Sequence, residues 1–250
     1  MKRVRKTLFR IGFIVLACQV STAFGQVKPM SQEILQTVFP EARATNLSTA
    51  TRIRIDQKRW IDVQGSVSAV GCSIATRNPN SSVLFVAYAV TEEDDHWNSS
   101  VVYALVRREG GKYVLLNKTT IQDRDRGYFA VGGAKVLRLQ GRQMILLEYS
   151  NGDSISTPRG WHTISKLIDV STVNAPVEVW SVENRYEYGG ASQPQTKRVV
   201  EFTLKDVNND GYEEIHTTTT TVEEDVFVWN HSRFVKPKSY PPEPVKAEKE

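Results

Sequence analysis

The sequence contains few of the residues and motifs from which catalytic and metal centres are usually recognised. Its 250 residues include two cysteines and four histidines, and the histidines His96, His162, His216 and His231 have no metal-ligand spacing. Zinc is therefore not expected. No G-x-S-x-G, H-E-x-x-H or phosphate-binding P-loop motif occurs. Catalytic residues cannot be assigned from the sequence, and none is predicted.

The sequence also lacks an apolar run of the roughly 20 residues that span a membrane. A shorter apolar run over residues 11–17 follows five basic residues and precedes a small-residue segment that ends at Gly25. This order of basic, apolar and small residues is typical of a secretion signal peptide. We expect a signal peptide over residues 1–25, with cleavage before Gln26, and a periplasmic or secreted mature chain.

An alternative processing site lies within the same segment. Residues 15–18, with the sequence VLAC, resemble a bacterial lipobox, in which the cysteine becomes lipidated. A lipid on Cys18 would tether the mature protein to a membrane face and make it an outer-membrane lipoprotein. Both alternatives place the mature chain outside the cytosol.

The mature chain has no excess of positive charge. The full sequence has a net charge of +4, but residues 1–25 contain five basic and no acidic residues, so the remainder has a net charge of −1. Nucleic acid is therefore not expected as a partner. Cleavage also removes Cys18, and Cys72, left alone, is expected to be a small buried residue rather than a reactive thiol.

The remaining sequence has the pattern of a mainly β protein. One short amphipathic helix is predicted over residues 31–39, because Ser31 can cap its start and Pro40 ends it. Beyond it, short β-branched and aromatic segments alternate with Gly, Asn and Asp turns. The clearest of these strand segments are residues 83–90, 101–106, 135–139 and 143–149.

This pattern divides the mature chain into three regions. We expect a helical segment over residues 26–42 and a β-rich domain over residues 43–235. Residues 236–250 are rich in Lys, Pro and Glu and have little to bury, so they are predicted to be a disordered tail.

Two stretches of the β-rich domain resemble each other. Residues 83–114 and 213–235 each contain a strand, an acidic turn, a returning strand, a Gly or Asn turn and a closing aromatic-valine strand. Residues 135–170 fit the same template more loosely, with residues 140–142 as the first turn. We expect three or four antiparallel meander units of roughly 40–50 residues, which would form a small propeller, a sandwich or an open meander.

One segment has the spacing of a calcium-binding loop. With Asp206 counted as loop position 1, oxygen-bearing side chains occupy positions 1, 3, 5 and 9. Gly211 occupies position 6, where the backbone must turn sharply. Ca²⁺ takes about six to eight oxygen ligands. The spacing directs the side chains of Asp206, Asn208 and Asp210, and the carbonyl of Tyr212, toward one point. Position 12 is Thr217 instead of the glutamate of an EF-hand, and the flanking segments have strand character.

This segment resembles the calcium-binding β-hairpin loop of FG-GAP or VCBS repeats, the units of integrin-α-type propellers. The family pattern is D-x-[DN]-x-D-G-x-x-[DE] followed by a strand, and the resemblance covers residues 199–235. It implies side-chain ligands from Asp206, Asn208, Asp210 and Glu214. It also implies a carbonyl ligand from Tyr212 and a structural Ca²⁺ in this hairpin.

Other candidate sites are weaker. Residues 92–96, with the sequence EEDDH, are expected to form a solvated turn rather than a second cation site. The five tryptophans are expected to pack rather than to line a glycan-binding or peptide-binding face. Residues 33–42 resemble the opening helix of small extracytoplasmic FMN-binding domains, but the threonine motif that accepts the flavin is missing.

These patterns favour a non-enzymatic, extracytoplasmic β-rich module with one Ca²⁺-stabilised hairpin and a protein or glycan partner. One alternative is an envelope hydrolase whose acid and base are carboxylates that the fold brings together. The other is a lipid-anchored structural protein.

Overall fold

The computed structural model describes residues 28, 31–42, 52–62, 68–76, 82–92, 98–121, 128–152, 159–190, 193–209, 211–219 and 224–236. Within these residues the chain forms one helix and fourteen strands, and all paired strands are antiparallel. The elements are α1 Gln32–Val38, β1 Arg52–Arg54, β2 Arg59–Asp62, β3 Ala69–Ile74, β4 Val83–Glu92, β5 Asn98–Glu109, β6 Lys112–Ile121, β7 Tyr128–Leu139, β8 Arg142–Gly152, β9 Arg159–Asp169, β10 Val177–Gly190, β11 Gln193–Lys205, β12 Glu214–Thr219, β13 Glu224–Trp229 and β14 Phe234–Val235. The predicted mainly β, antiparallel fold with one short N-terminal helix is confirmed.

Helix α1 begins and ends where the sequence pattern predicts. The Ser31 hydroxyl accepts a hydrogen bond from the backbone N–H of Ile34 at 3.4 Å, and the helix ends at Val38. Phe39 leaves the helical conformation because the ring of the following proline disfavours it. The Lys118 ammonium donates to the Val38 carbonyl at 2.9 Å, which satisfies one of the carbonyls at the helix end.

The strands form two sheets. The first sheet has the order β1-β2-β4-β5-β6, and β3 pairs with the part of β4 that β2 leaves uncovered. The second sheet has the order β14-β13-β12-β11-β10-β9-β8-β7, so each strand pairs with its neighbour along the chain. The predicted three-strand meanders are present as β4–β6, β7–β9 and β12–β14. The last two belong to one continuous sheet, and the described strands are not arranged as propeller blades.

The main core lies between the two sheets. Strand β4 is buried on both faces, which explains its uninterrupted apolar sequence. One set of alternating residues, from Val83 to Ala89, packs against β7, β8 and β9. The other set, from Leu84 to Val90, packs against α1, β1 and β2. Cys72 on β3 is buried in the inter-sheet core, as predicted, and burial raises the pKa of its thiol to about 12.

A third apolar cluster lies on the opposite face of the second sheet. Its buried members are Leu139, Met144, Leu167, Val179, Trp180, Ile215 and Phe234. These residues come together because the sheet curls at its C-terminal end, where β14 contacts β10. The curl places the β11–β12 hairpin beside the turn between β7 and β8.

Several of the sequence predictions concern residues outside the described ranges. These include the signal peptide with Cys18, most of the acidic turn after Glu92, and residues 237–250 of the tail. Among the described residues, no helix has the length and apolar character needed to cross a membrane.

Candidate functional site

The candidate loop connects β11 to β12. The last cross-strand pair of the hairpin is Lys205 with Glu214, so residues 206–213 form the connection. Asp206 therefore leaves one strand where Glu214 begins the next. This register brings the first and ninth positions of the predicted calcium loop to the same end of the hairpin.

Both carboxylates close the loop by accepting backbone hydrogen bonds. Oδ2 of Asp206 accepts from the N–H of Gly211 at 3.0 Å, and Oε2 of Glu214 accepts from the N–H of Val207 at 2.8 Å. Oδ1 of Asp206 is buried and has no hydrogen-bond partner within the described part of the chain. An unsatisfied buried oxygen of an ionised carboxylate is costly, and a cation bound to it would offset that cost.

Two of the described loop residues have a positive φ. Asn209 has a φ of 59° and Gly211 has a φ of 89°. Asparagine tolerates the left-handed region better than most residues, and glycine adopts it without a Cβ clash. The sequence pattern correctly predicted that glycine at position 6 marks the sharp turn.

Four of the five predicted ligand residues are among the described residues: Asp206, Asn208 and Tyr212 lie in the loop, and Glu214 begins β12. Glu214 is 3% exposed, Asn208 is on the surface, and Tyr212 is 55% exposed. Asp210, the predicted third carboxylate, lies outside the described residues. Within the described ranges no group of three or more His, Cys, Asp or Glu residues is placed to hold a metal ion.

A cavity of about 430 Å³ opens beside the loop. Three elements form its walls: the β7–β8 turn, the 206–213 loop with the start of β12, and the end of β13 with the turn that follows. Their lining residues are Gln140, Arg142, Asn208, Tyr212, Glu214, Val228, Trp229 and His231. The Gln140 side-chain amide donates to the Glu213 carbonyl at 2.9 Å and ties the β7–β8 turn to the loop.

Arg142 is held in the cavity wall by two contacts. Its Nη1 donates to Oδ2 of Asp169 at 2.7 Å, and its guanidinium carbon lies 5.5 Å from the centroid of the Trp229 ring. Asp169 is itself buried, and its Oδ1 accepts from the backbone N–H of Ser171 at 2.9 Å. Because 45% of the Arg142 side chain is exposed, this cation is available at the cavity surface.

The contacts of Asp169 favour its ionised form. Burial by itself raises the pKa of this carboxyl, but the Ser171 N–H and the Arg142 guanidinium lower it, and the resulting pKa lies below the ordinary value. A carboxylate with a lowered pKa in the folded state stabilises the fold above the unfolded-state pKa. That contribution is lost as pH falls through the folded-state pKa.

Asp169→Asn is expected to lower the free energy of unfolding by about 1–2 kcal/mol near neutral pH. The loss should be much smaller at an acid pH below the folded-state pKa of Asp169, since the wild-type carboxylate is then protonated and no longer pairs with Arg142 as an ion. Urea denaturation at both pH values measures the difference.

The control Asp62→Asn removes a carboxylate that is 42% exposed and 4.0 Å from its arginine partner. It should cost less than about 0.5 kcal/mol. An equal loss for Asp169→Asn at both pH values would contradict the assigned role of its charge.

The sequence predicted the loop but not the cavity. Gln140 and Arg142 lie far from the loop in the sequence and were not candidate binding residues, and Trp229 was expected to pack rather than to bind. Trp229 packs against Phe234 at 5.2 Å between ring centroids, as expected for a packing tryptophan, but it also lines the cavity. Comparison of the chain with protein-family models, with curated proteins and with solved structures finds no match. Function must therefore follow from the loop and the cavity.

Proposed function

We propose that this chain is a secreted or periplasmic, non-enzymatic β-rich binding module whose 206–214 loop holds one Ca²⁺. The observation that supports this best is the buried, unpartnered Oδ1 of Asp206 at the end of the β11–β12 hairpin. The extracytoplasmic location follows from the signal peptide predicted over residues 1–25.

The donor set of the loop matches the chemistry of Ca²⁺. The side chains of Asp206, Asn208, Asp210 and Glu214 and the carbonyl of Tyr212 are all oxygen donors, which this hard cation prefers. The loop is also the segment that resembles the FG-GAP and VCBS repeats. In this proposal the ion neutralises the carboxylates and holds the loop closed.

The cavity next to the loop favours binding over hydrolysis. Among the described residues that line it, Glu214 alone has a carboxylate side chain. Glycoside hydrolases generally use a pair of carboxylates, one as acid and one as base or nucleophile. In addition, Oε2 of Glu214 already accepts a hydrogen bond from the Val207 N–H.

Ca²⁺ is expected to raise the melting temperature of the protein. An ion that binds the folded state alone adds about 2.7 kcal/mol when its free concentration is 100 times Kd. For a chain of this length that corresponds to a rise of roughly 5–10 °C. Differential scanning calorimetry in millimolar Ca²⁺ and in EGTA measures the shift, with Mg²⁺ as the ion control. If Ca²⁺ leaves the melting temperature unchanged, the proposal is wrong.

The variant Asp206→Asn tests whether the Ca²⁺-dependent rise in melting temperature comes from an ion in this loop. The asparagine oxygen still accepts from the Gly211 N–H, but the negative charge is gone, so most of the Ca²⁺-dependent rise should disappear. In EGTA this variant should melt at or above the wild-type temperature, because an unpartnered buried charge has been removed.

Two glycines form a matched pair of controls. Gly211 in the loop has a φ of 89°, and Gly111 in the β5–β6 turn has a φ of 88°. Alanine at either position should cost about 1–2 kcal/mol, because L-residues are strained there. Only Gly211→Ala should also reduce the Ca²⁺-dependent rise. If Gly111→Ala reduces the Ca²⁺-dependent rise in melting temperature as much as Gly211→Ala does, the ion binds elsewhere.

A further inference from the structure

The predicted ion site and the cavity share part of their lining. Asn208, Tyr212 and Glu214, three of the five expected ligand residues, also line the cavity. An ion in the loop therefore lies at the cavity wall. Five protein groups supply fewer oxygens than the about six to eight that Ca²⁺ takes, unless carboxylates bind through both oxygens. If each carboxylate binds through one oxygen, a coordination position of the ion is left for an oxygen of a molecule in the cavity.

A second cation lines the same cavity. The Arg142 guanidinium has about five N–H donors in a planar fork, and the Asp169 carboxylate accepts one of them, from Nη1. Its contacts with Asp169 and the Trp229 ring fix its orientation before any ligand arrives. A planar carboxylate is an anion that matches such a fork well. The cavity therefore suits a ligand with a carboxylate group.

The remaining lining residues favour a sugar over a peptide. The Tyr212 ring is 55% exposed, which is unusual for a large aromatic side chain, and it stands at the edge of a polar cavity. Aromatic rings combine apolar contact area with a polar edge, and the C–H face of a sugar ring can pack on them. The oxygen of the Gln140 side-chain amide, whose nitrogen already donates to Glu213, can accept a hydrogen bond from a sugar hydroxyl. Val228 is the single aliphatic residue among the described lining, so there is little to receive an apolar peptide side chain.

We propose that this cavity binds an acidic sugar of the uronic acid type. The sugar carboxylate pairs with Arg142, a hydroxyl or carboxylate oxygen completes the coordination of the loop Ca²⁺, and the sugar ring packs on Tyr212. The cavity volume of about 430 Å³ fits one sugar residue of a longer glycan. This inference rests on the calcium site of the proposed function.

The test is a titration with methyl β-glucuronide, followed by ligand-observed NMR. Methyl β-glucoside is the neutral control, and N-acetyl-trialanine is a carboxylate without a sugar ring. In millimolar Ca²⁺ the glucuronide is expected to bind about tenfold more tightly than either control. In EGTA its affinity is expected to fall by about tenfold, because an oxygen ligand of the ion is lost.

Two variants separate the sugar contacts from the ion site. Tyr212→Ala keeps the backbone carbonyl, so the Ca²⁺-dependent rise in melting temperature should persist while glucuronide affinity falls about tenfold. Arg142→Lys keeps the charge next to Asp169 but loses the fork, and should weaken glucuronide about tenfold and glucoside very little. The control Val177→Ala changes a residue on β10 that is also 55% exposed and is not among the cavity lining. It should alter neither measurement.

The outcomes distinguish this inference from the proposed function. If Ca²⁺ raises the melting temperature but no glucuronide binds, the sugar inference is wrong and the calcium site stands. If the glucuronide binds with equal affinity in Ca²⁺ and in EGTA, the sugar does not contact the ion. If N-acetyl-trialanine binds more tightly than the glucuronide, the sugar inference is wrong and the cavity prefers a peptide carboxylate.

Discussion

Phe85→Ala is expected to lower the free energy of unfolding by about 3–5 kcal/mol. Phe85 is fully buried near the start of β4, where it faces the second sheet. Its ring stacks on Tyr103 with 5.5 Å between centroids and an interplanar angle of 25°. Truncation removes this contact and leaves a cavity between two sheets, neither of which can move inward without disturbing its own hydrogen-bonded ladder.

Equilibrium denaturation in urea measures this loss. Since natural domains are stable by about 5–15 kcal/mol, Phe85→Ala takes a large part of the total and should leave a chain close to its unfolding threshold. Phe85→Leu refills most of the volume and should cost clearly less. Val114→Ala, at a position that is 40% exposed on β6, should cost less than about 0.5 kcal/mol. A loss below about 1 kcal/mol for Phe85→Ala would show that the two sheets do not share this core.

Trp180→Ala is expected to cost a similar amount, about 3–5 kcal/mol. Trp180 is 5% exposed in the cluster beneath the β11–β12 hairpin. Its ring meets Phe202 edge-on at 5.2 Å and Phe227 at 6.0 Å. These phenylalanines lie on β11 and β13, so the indole joins the strands on both sides of β12. Its loss should therefore also weaken the Ca²⁺-dependent stabilisation.

Trp180→Phe tests the reason for this effect. The indole N–H of Trp180 is buried without a hydrogen-bond partner in the described part of the chain. Phenylalanine keeps most of the ring and removes this unsatisfied donor, so the variant should lose far less stability than alanine and should retain the Ca²⁺ response. Thermal melts of both variants with and without Ca²⁺ provide the comparison. If phenylalanine and alanine prove equally damaging, the N–H has a partner that stabilises the fold.

Local patterns in the sequence predicted the elements well. Helix α1 follows from a serine cap, apolar spacing and Pro40, all within ten residues of one another. Strand β4 follows from a run of β-branched and aromatic residues. Turns such as that at Gly111 follow from the backbone freedom of glycine. Each of these signals depends on neighbours along the chain, which a sequence displays directly.

Patterns of repetition predicted the meanders but not their assembly. The similarity between residues 83–114 and 213–235 reflects the same alternation of strands and turns, and both stretches do form three-strand meanders. It contains no information about which faces become buried. Strand β4 is covered on both faces, whereas β12 to β14 form the curled end of a larger sheet. The choice between blades and packed sheets depends on the packing of distant faces.

The sequence likewise predicted one part of the candidate site, and the tertiary structure decided the other part. The sequence alone determined the calcium-type spacing of residues 206–214, because a loop's ligands and its turning glycine lie within one short segment. Tertiary structure decided that Gln140 in the β7–β8 turn, Arg142 at the start of β8 and Trp229 on β13 stand beside that loop and line a cavity with it. The physical reason is that the curl of the second sheet is set by long-range apolar packing around Trp180. That packing brings together side chains about 90 residues apart, and no local pattern in the chain encodes it.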